Sequence, residues 1–239
     1  MESMMESLNI NRHISGQFNS ELESVRSQVM LMGGLIEQQL SDALMAMADN
    51  DIELAQQIII KDKDVNQFES NVDQECSRII AKRQPAATDL RLILTIMKTV
   101  TELERVGDGI AGIARMVIEN HGKAGPSLIG LENMGQIVLK MLHSTLDAFT
   151  RLDLKAAIMV HNEDKKVNRQ YESILRELMT FMMEDPRSIP YILKVLAAAR
   201  SIERIGDRCQ NICEQIVYLV EGVDVRHATE EEINSFLAE

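Results

Sequence analysis

Apolar residues recur at steps of three and four along nearly the whole chain, the period of helices that each bury one stripe. The pattern predicts about six helices with breaks at five places. "ADND" (Ala48–Asp51) divides the first from the second, with Asn50 or Asp51 as N-cap. Pro85 in "RQPAATDLR" ends the second, because the residue before a proline is pushed out of the α region; Thr88 or Asp89 would cap the next helix. "NHGKAGPS" (Asn120–Ser127) holds two Gly and a Pro and is the strongest linker signal. An "RLD" turn follows Thr150, and "EDPRSIP" (Glu184–Pro190) separates the fifth helix from the sixth. Helices of about 30 residues reach some 45 Å at about 1.5 Å rise, so an elongated molecule is expected.

The pattern is written twice. "LSDALMAM" (Leu40–Met47) parallels "LHSTLDAF" (Leu142–Phe149), and "KDKDVNQFES" (Lys61–Ser70) parallels "NEDKKVNRQYES" (Asn162–Ser173). Pro85 corresponds to Pro186. The fold class read from this is all-α: two tandem, sequence-related three-helix bundles, spanning residues 14–120 and 127–222. Residues 1–13 and 223–239 are expected to be flexible or loosely packed, with a capped exit at Gly222 and a short acidic tail.

The third helix of each half carries one motif, "ELERVGD" at Glu102–Asp108 and "SIERIGD" at Ser201–Asp207. Ile93, Ile96, Val100, Leu103, Gly107, Ile110, Ala114 and Val117 form a heptad seam. Its counterpart is Ile192, Val195, Ala199, Ile202, Gly206, Cys209, Cys213 and Ile216. Both motif glycines thus fall on a buried stripe. A mid-helix glycine costs about 0.5–1 kcal/mol relative to Ala, so a neighbouring helix, or something bound, must come close there.

Glu104 and Asp108, and likewise Glu203 and Asp207, sit one step round from the seam and flank the interhelical groove. On the second helices, Asp62, Asn66, Glu69 and Asp73 share a face, as do Asp164, Asn168 and Glu172. If these faces meet, each half gathers oxygen donors without His or Cys, a set suited to hard cations such as Mg²⁺, Mn²⁺, Ca²⁺ or oxidised iron. The alternative is structural: carboxylates beside a seam are salt-bridge partners, with Arg105, Arg115, Arg200, Arg204 and Arg208 near in sequence.

Composition narrows the function. In 239 residues the formal charge is -12, which excludes sequence-independent binding to nucleic acid or anionic lipid. Aromatics are 3% and Met numbers 15, a balance that fits helix cores. Cys76, Cys209 and Cys213 form no CxxC pair; a reducing cytoplasm is expected, and Cys209 and Cys213 fall on the seam. No run of about 18 apolar residues is present, so no direct membrane insertion is expected, and "MESMMESLNINRH" has no signal-peptide pattern. His13, His121, His143, His161 and His227 are scattered, and none forms the inward Glu-x-x-His pair of di-iron bundles. No P-loop, GxSxG, kinase signature or HExxH occurs. "RQPAATDLR" offers an exposed patch of Arg83, Asp89 and Arg91 as a lesser candidate.

"LERVGD", "IERIGDRCQNICE", "IAKRQPAATDLR" and "HISGQFNSELESV" together resemble the PhoU regulators of bacterial phosphate signalling, over about residues 10–227 and most closely the gamma-proteobacterial members. The resemblance implies two tandem three-helix bundles, assembled as a homodimer. It implies a cytoplasmic, non-enzymatic regulator that represses the phosphate-starvation response and modulates phosphate uptake. The partners implied are the ATPase subunit of the phosphate ABC transporter and a phosphate-sensing histidine kinase. Some members carry multinuclear metal clusters on E(D)xxxD motifs, which implies divalent or iron metal ions (Mg, Mn, Fe or Zn) as candidate cofactors here. Carried over, the motifs are Glu104 with Asp108 and Glu203 with Asp207, joined by Asp62, Glu69 and Asp164. Asn66 and Asn168 stand where the second carboxylate of each second-helix motif would be. The other reading is therefore a carboxylate-bridged metal protein or a metal-dependent phosphate-binding protein, and a third is a coiled-coil scaffold whose charges fix register.

Overall fold

Each break predicted from the sequence falls between helices, and local side chains explain where the chain turns. A computed structural model describes residues 16–123 and 125–237. The expected loose N-terminal segment and His13 lie outside the described residues. Six long helices follow in order: α1 (Gly16–Asp49), α2 (Ile52–Arg83), α3 (Ala87–Asn120), α4 (Ile129–Arg151), α5 (Leu154–Glu184) and α6 (Ile189–Glu221). A 3-10 turn (Pro186–Ser188) precedes α6, a short α7 (Glu230–Ser235) ends the chain, and no strand occurs among the described residues.

Asp51, not Asn50, caps α2 by accepting from the Leu54 amide at 3.0 Å, while Asn50 takes a positive φ of 54°. Asp153 caps α5 in the same way on Ala156. The expected Thr88 or Asp89 cap is corrected: α3 begins two or three residues earlier, its N-cap position is Ala86, and no side chain caps it. Pro85 ends α2 without leaving a polar residue at the capping position.

α1–α3 form one bundle and α4–α6 the other, but the two share a single continuous core. α3 lies along α6, and α1 along α4, so these four helices form the joint; α2 and α5 pack mainly against their own halves. The α1–α4 contact is reciprocal. A Cβ on Gly33 would stand 2.6 Å from Leu146 Cδ2, and one on Gly135 would run into Leu44 Cδ2. Each half thus puts a leucine into a glycine notch of the other, a knob-into-hole joint repeated by internal symmetry.

The segment after Gly222 differs from the loose tail expected. Gly222 ends α6 in the left-handed conformation (φ 79°), as read from the sequence. Beyond it, however, Val225 and Ile233 are buried against Ile158 and Val217. Asn162 donates to Asn234 at 2.7 Å, and a Thr229/Glu232 capping box fixes α7. Val225 and Ile233 stand eight residues apart with the acidic run Glu230–Glu232 between them, too weak a periodic signal to read as anything but tail.

Candidate functional site

The seam glycines mark where the second helix of each half comes closest to the third. All sixteen seam positions are buried. A Cβ on Gly107 would lie 3.1 Å from Val65 Cγ1 and 3.4 Å from Asp62 Oδ1. A Cβ on Gly206 would lie 2.9 Å from Asp164 Oδ1 and 3.5 Å from Val167 Cγ1. Each glycine therefore clears room for an aspartate of the neighbouring helix to rest on the third helix. The expectation that these faces meet holds in both halves.

The first cluster is formed by Asp62 and Glu69 of α2 with Glu104 and Asp108 of α3. Burial, then the charge of Asp108, holds the Asp62 carboxyl above the ordinary range; Arg115 opposes this. Glu104 is raised by burial first, then by Asp108, Glu69 and Asp62, with Arg105 opposing. Asp108 is exposed and Asn66 faces solvent. Among the described residues no ion pair reaches Asp62, Glu104 or Asp108. Arg105 turns instead to Glu102 at 3.0 Å. The salt-bridge alternative therefore fails for this half.

The second cluster, Asp164 of α5 with Glu203 and Asp207 of α6, is deeper. Asp164 is 4% and Glu203 7% exposed. Burial, then Asp207, pushes the Asp164 carboxyl up to about 6. Asn168 Nδ2 donates to Asp164 Oδ2 at 2.6 Å, and Arg200 Nη1 donates to Glu203 Oε1 at 2.6 Å. The other oxygens, Asp164 Oδ1 and Glu203 Oε2, are buried without a partner. Arg200 also lies over the Tyr171 ring, 5.6 Å from its centroid. Here the salt-bridge reading holds for one pair, Arg200 and Glu203. Burial raises Asp207 as well, with Arg200, Arg208 and Arg204 working against it.

Hard-cation chemistry suits the donor atoms, but their arrangement does not close round an ion. Among the described residues no group of three or more His, Cys, Asp or Glu is placed to hold a metal. In the second cluster the Asn168 amide occupies one Asp164 oxygen and Arg200 supplies the positive charge a cation would bring. These residues do not fit a multinuclear metal centre as they stand.

The chemistry that the sequence missed lies between the halves. Glu102 gathers Arg105, Arg208 (3.2 Å) and Asn211 (3.2 Å), tying α3 to α6. It borders an open cavity of about 440 Å³ lined in part by Asp73, Lys98, Thr101, Glu214 and Arg226. Ser201 stands at the repeat-equivalent position, so a search for duplicated residues passes Glu102 by. His161 is buried, 3.1 Å from Gln210 and 3.6 Å from Glu214.

Other sequence candidates recede. Cys76 and Cys209 are buried thiols pushed up to about 12, and Cys213 is raised further by the same burial, so none is a ready thiolate. His143 is an exposed surface residue 2.8 Å from Glu37. The open patch expected at "RQPAATDLR" is corrected: Arg83 donates twice to Glu21 (3.0 and 3.1 Å), and the Arg91 guanidinium rests on Gly222.

Two copies of one domain fit this geometry, and two are found. The PhoU domain matches residues 29–117 and 131–216, one copy on each bundle. The chain belongs to the PhoU family. It is 55% identical over 235 residues to the phosphate-specific transport system accessory protein PhoU of Escherichia coli K12, covering 98% of each chain. A PhoU homolog of Pseudomonas aeruginosa is 50% identical over 220 residues, 91% of each chain. Among solved structures, PhoU from Pseudomonas aeruginosa superposes with a TM-score of 0.84 at 48% identity, covering 86% of this PhoU chain and all of its own. The phosphate transport system regulatory protein PhoU of Streptococcus pneumoniae gives 0.82 at 34% identity, with 87% and 99% covered.

Proposed function

We propose that this protein is a cytoplasmic, non-enzymatic regulator of phosphate transport. It represses the phosphate-starvation response when phosphate is plentiful, acting as a homodimeric adaptor between the ATPase subunit of the phosphate ABC transporter and a sensor histidine kinase. The observation that carries the reading is likeness over 98% of the chain to a protein named as an accessory of phosphate-specific transport. No helix of the described residues is long and apolar enough to cross a membrane, so action on a membrane transporter would run through contact with its peripheral parts.

A regulator of this kind needs two states with different affinities for its partners. The joint between the halves is suited to supply them. A Cβ on Gly109 would stand 3.2 Å from Ile205 and one on Gly112 2.8 Å from Ser201, so α3 and α6 run close together. Polar ties through Glu102 hold one register of that pair. A change in that register is how a signal at one bundle would reach a partner on the other.

The reading is tested by pull-down with the purified ATPase subunit and the kinase at high and low phosphate. Capture of both, with Glu102→Gln altering the phosphate dependence, is the expected result. Capture of neither partner at either phosphate level overturns it.

A further inference from the structure

The α3–α6 joint has two ends related by the duplication, and they are not built alike. The repeat spacing is 99 residues in the third helices, as from Gly107 to Gly206, and 102 in the second helices, as from Asp62 to Asp164. Glu102 meets Asn211 at one end of the joint. Their counterparts, Ser201 and Gly112, meet at the other, where a Cβ on Gly112 would stand 2.8 Å from Ser201 Oγ. There the helices run in close contact. At the Glu102 end they border the open cavity of about 440 Å³.

The lining of this cavity is not inherited from the repeat. Asp73 stands where the second half has Leu175, Lys98 where it has Ala197, and Gln215 where the first half has Met116. Glu214 replaces Arg115, which reverses the sign of the charge. Gln215 is 5% exposed and its Oε1 has no partner. A buried amide at a position that an apolar side chain fills in the other half is unfavourable for packing alone. The volume is that of a small-molecule site.

Charge specifies the occupant. Glu102 is taken up by Arg105, Arg208 and Asn211, and Arg226 by Asp224. Three charged groups of the lining are left over. Among the described residues Asp73 and Lys98 make no ion pair, either with each other or elsewhere. Glu214 has among them only His161, 3.6 Å away and beyond hydrogen-bond reach. Lys98 lies over the Tyr218 ring, 5.3 Å from its centroid, which orients the ammonium without neutralising it. Two carboxylates and one ammonium, held apart on α2, α3 and α6, complement a ligand with two cationic groups and one anionic group.

We propose that this cavity binds a free basic α-amino acid, arginine or lysine, with its carboxylate on Lys98 and its two cationic groups on Asp73 and Glu214. A diamine lacks the group that Lys98 requires, and inorganic phosphate brings only anionic oxygens to a wall with two unpaired carboxylates. Bound there, the amino acid touches α2, α3 and α6 together and holds the register in which Glu102 reaches Arg208 and Asn211. The site shares no residue with either carboxylate cluster. Its test uses no partner protein, so its failure and that of the regulatory reading are distinguishable.

The experiment is calorimetric titration of the full chain with arginine, lysine, agmatine, glutamate and inorganic phosphate. In parallel, ¹³C NMR follows the methyl of Met97, which lines the cavity. Arginine or lysine binds saturably and shifts the Met97 signal. Agmatine, which is arginine without its carboxylate, binds at least about ten-fold more weakly. Lys98→Met, Asp73→Asn and Glu214→Gln each weaken arginine binding by a similar factor. None of the three gives up a hydrogen-bonded ion pair, so the variants fold, as urea denaturation will check. No saturable binding of arginine or lysine up to about 10 mM, where even weak specific sites fill, overturns the inference. So does arginine binding that Lys98→Met leaves unchanged. Agmatine binding as tightly as arginine overturns it too, since that is attraction to the chain's formal charge of -12. Tighter binding of glutamate or phosphate than of arginine has the same force.

Discussion

Asp164 and Gly206 are the most tightly linked residues of the candidate site, and each makes a prediction about the other. A methyl at Gly206 would stand 2.9 Å from Asp164 Oδ1, so Gly206→Ala displaces the carboxylate and its Asn168 hydrogen bond. Ala gains about 1 kcal/mol of helix propensity, which the displacement outweighs. At Gly107 the nearest atom is Val65 Cγ1 at 3.1 Å, and the carboxylate stands farther off, at 3.4 Å. Urea denaturation should show Gly206→Ala less stable than Gly107→Ala by about 1 kcal/mol or more.

The Asp164 carboxyl is raised from 3.8 to about 6, so the native state holds more protons than the unfolded chain between those values. Stability therefore falls as pH rises through that window and stays lower above it. Asp164→Asn keeps an acceptor for Asn168 and removes the buried charge. It should gain about 1–3 kcal/mol over the parent at pH 7.5, with the gain gone at pH 4 and below. Equal unfolding free energies at pH 7.5 would contradict it. Elemental analysis of protein purified without chelator tests the donor arrangement: less than about one metal per chain is expected, with an unchanged melting temperature after chelation. At this scale the glycines and most of the site carboxylates were legible, because a mid-helix glycine on an apolar stripe signals close approach. Which carboxylates are neutralised was not, since Arg105 stands beside Glu104 in the motif yet turns to Glu102, while Arg200, just outside the second motif, reaches Glu203.

At the scale of elements, the reciprocal notches make a prediction that single contacts do not. Gly33→Ala forces Leu146 aside, whereas Leu146→Ala leaves a void that costs about 2–5 kcal/mol. In the double variant the new methyl occupies part of that void. A double-mutant cycle should therefore show favourable coupling of about 1 kcal/mol or more, and additive losses would contradict the notch description. Helix breaks were readable because Pro85, Pro186 and the Asn120–Ser127 linker act locally. The α3 start was misjudged because polar residues near a proline suggest a cap that the backbone does not use. The α1–α4 and α3–α6 joints were beyond the sequence pattern. A buried stripe shows that a helix has a partner without showing which one.

For the whole molecule, duplication was the strongest signal, and the asymmetry within it was the hardest to see. Repeats reveal what both halves keep: the seam, the glycine and the flanking acids. They hide what only one half has, such as Glu102 at the joint or the three extra turns of α1. A regulator built on this plan can hold its halves together through the duplicated parts and meet partners through the unequal ones. The proposed role is to keep the phosphate-starvation response off when phosphate is abundant. Its most direct test is deletion of the gene in its own host, with a phosphate-starvation reporter measured in phosphate-rich medium. The reporter should switch on in the deletion strain and be silenced again by the restored gene; a reporter that stays off after deletion rules the role out.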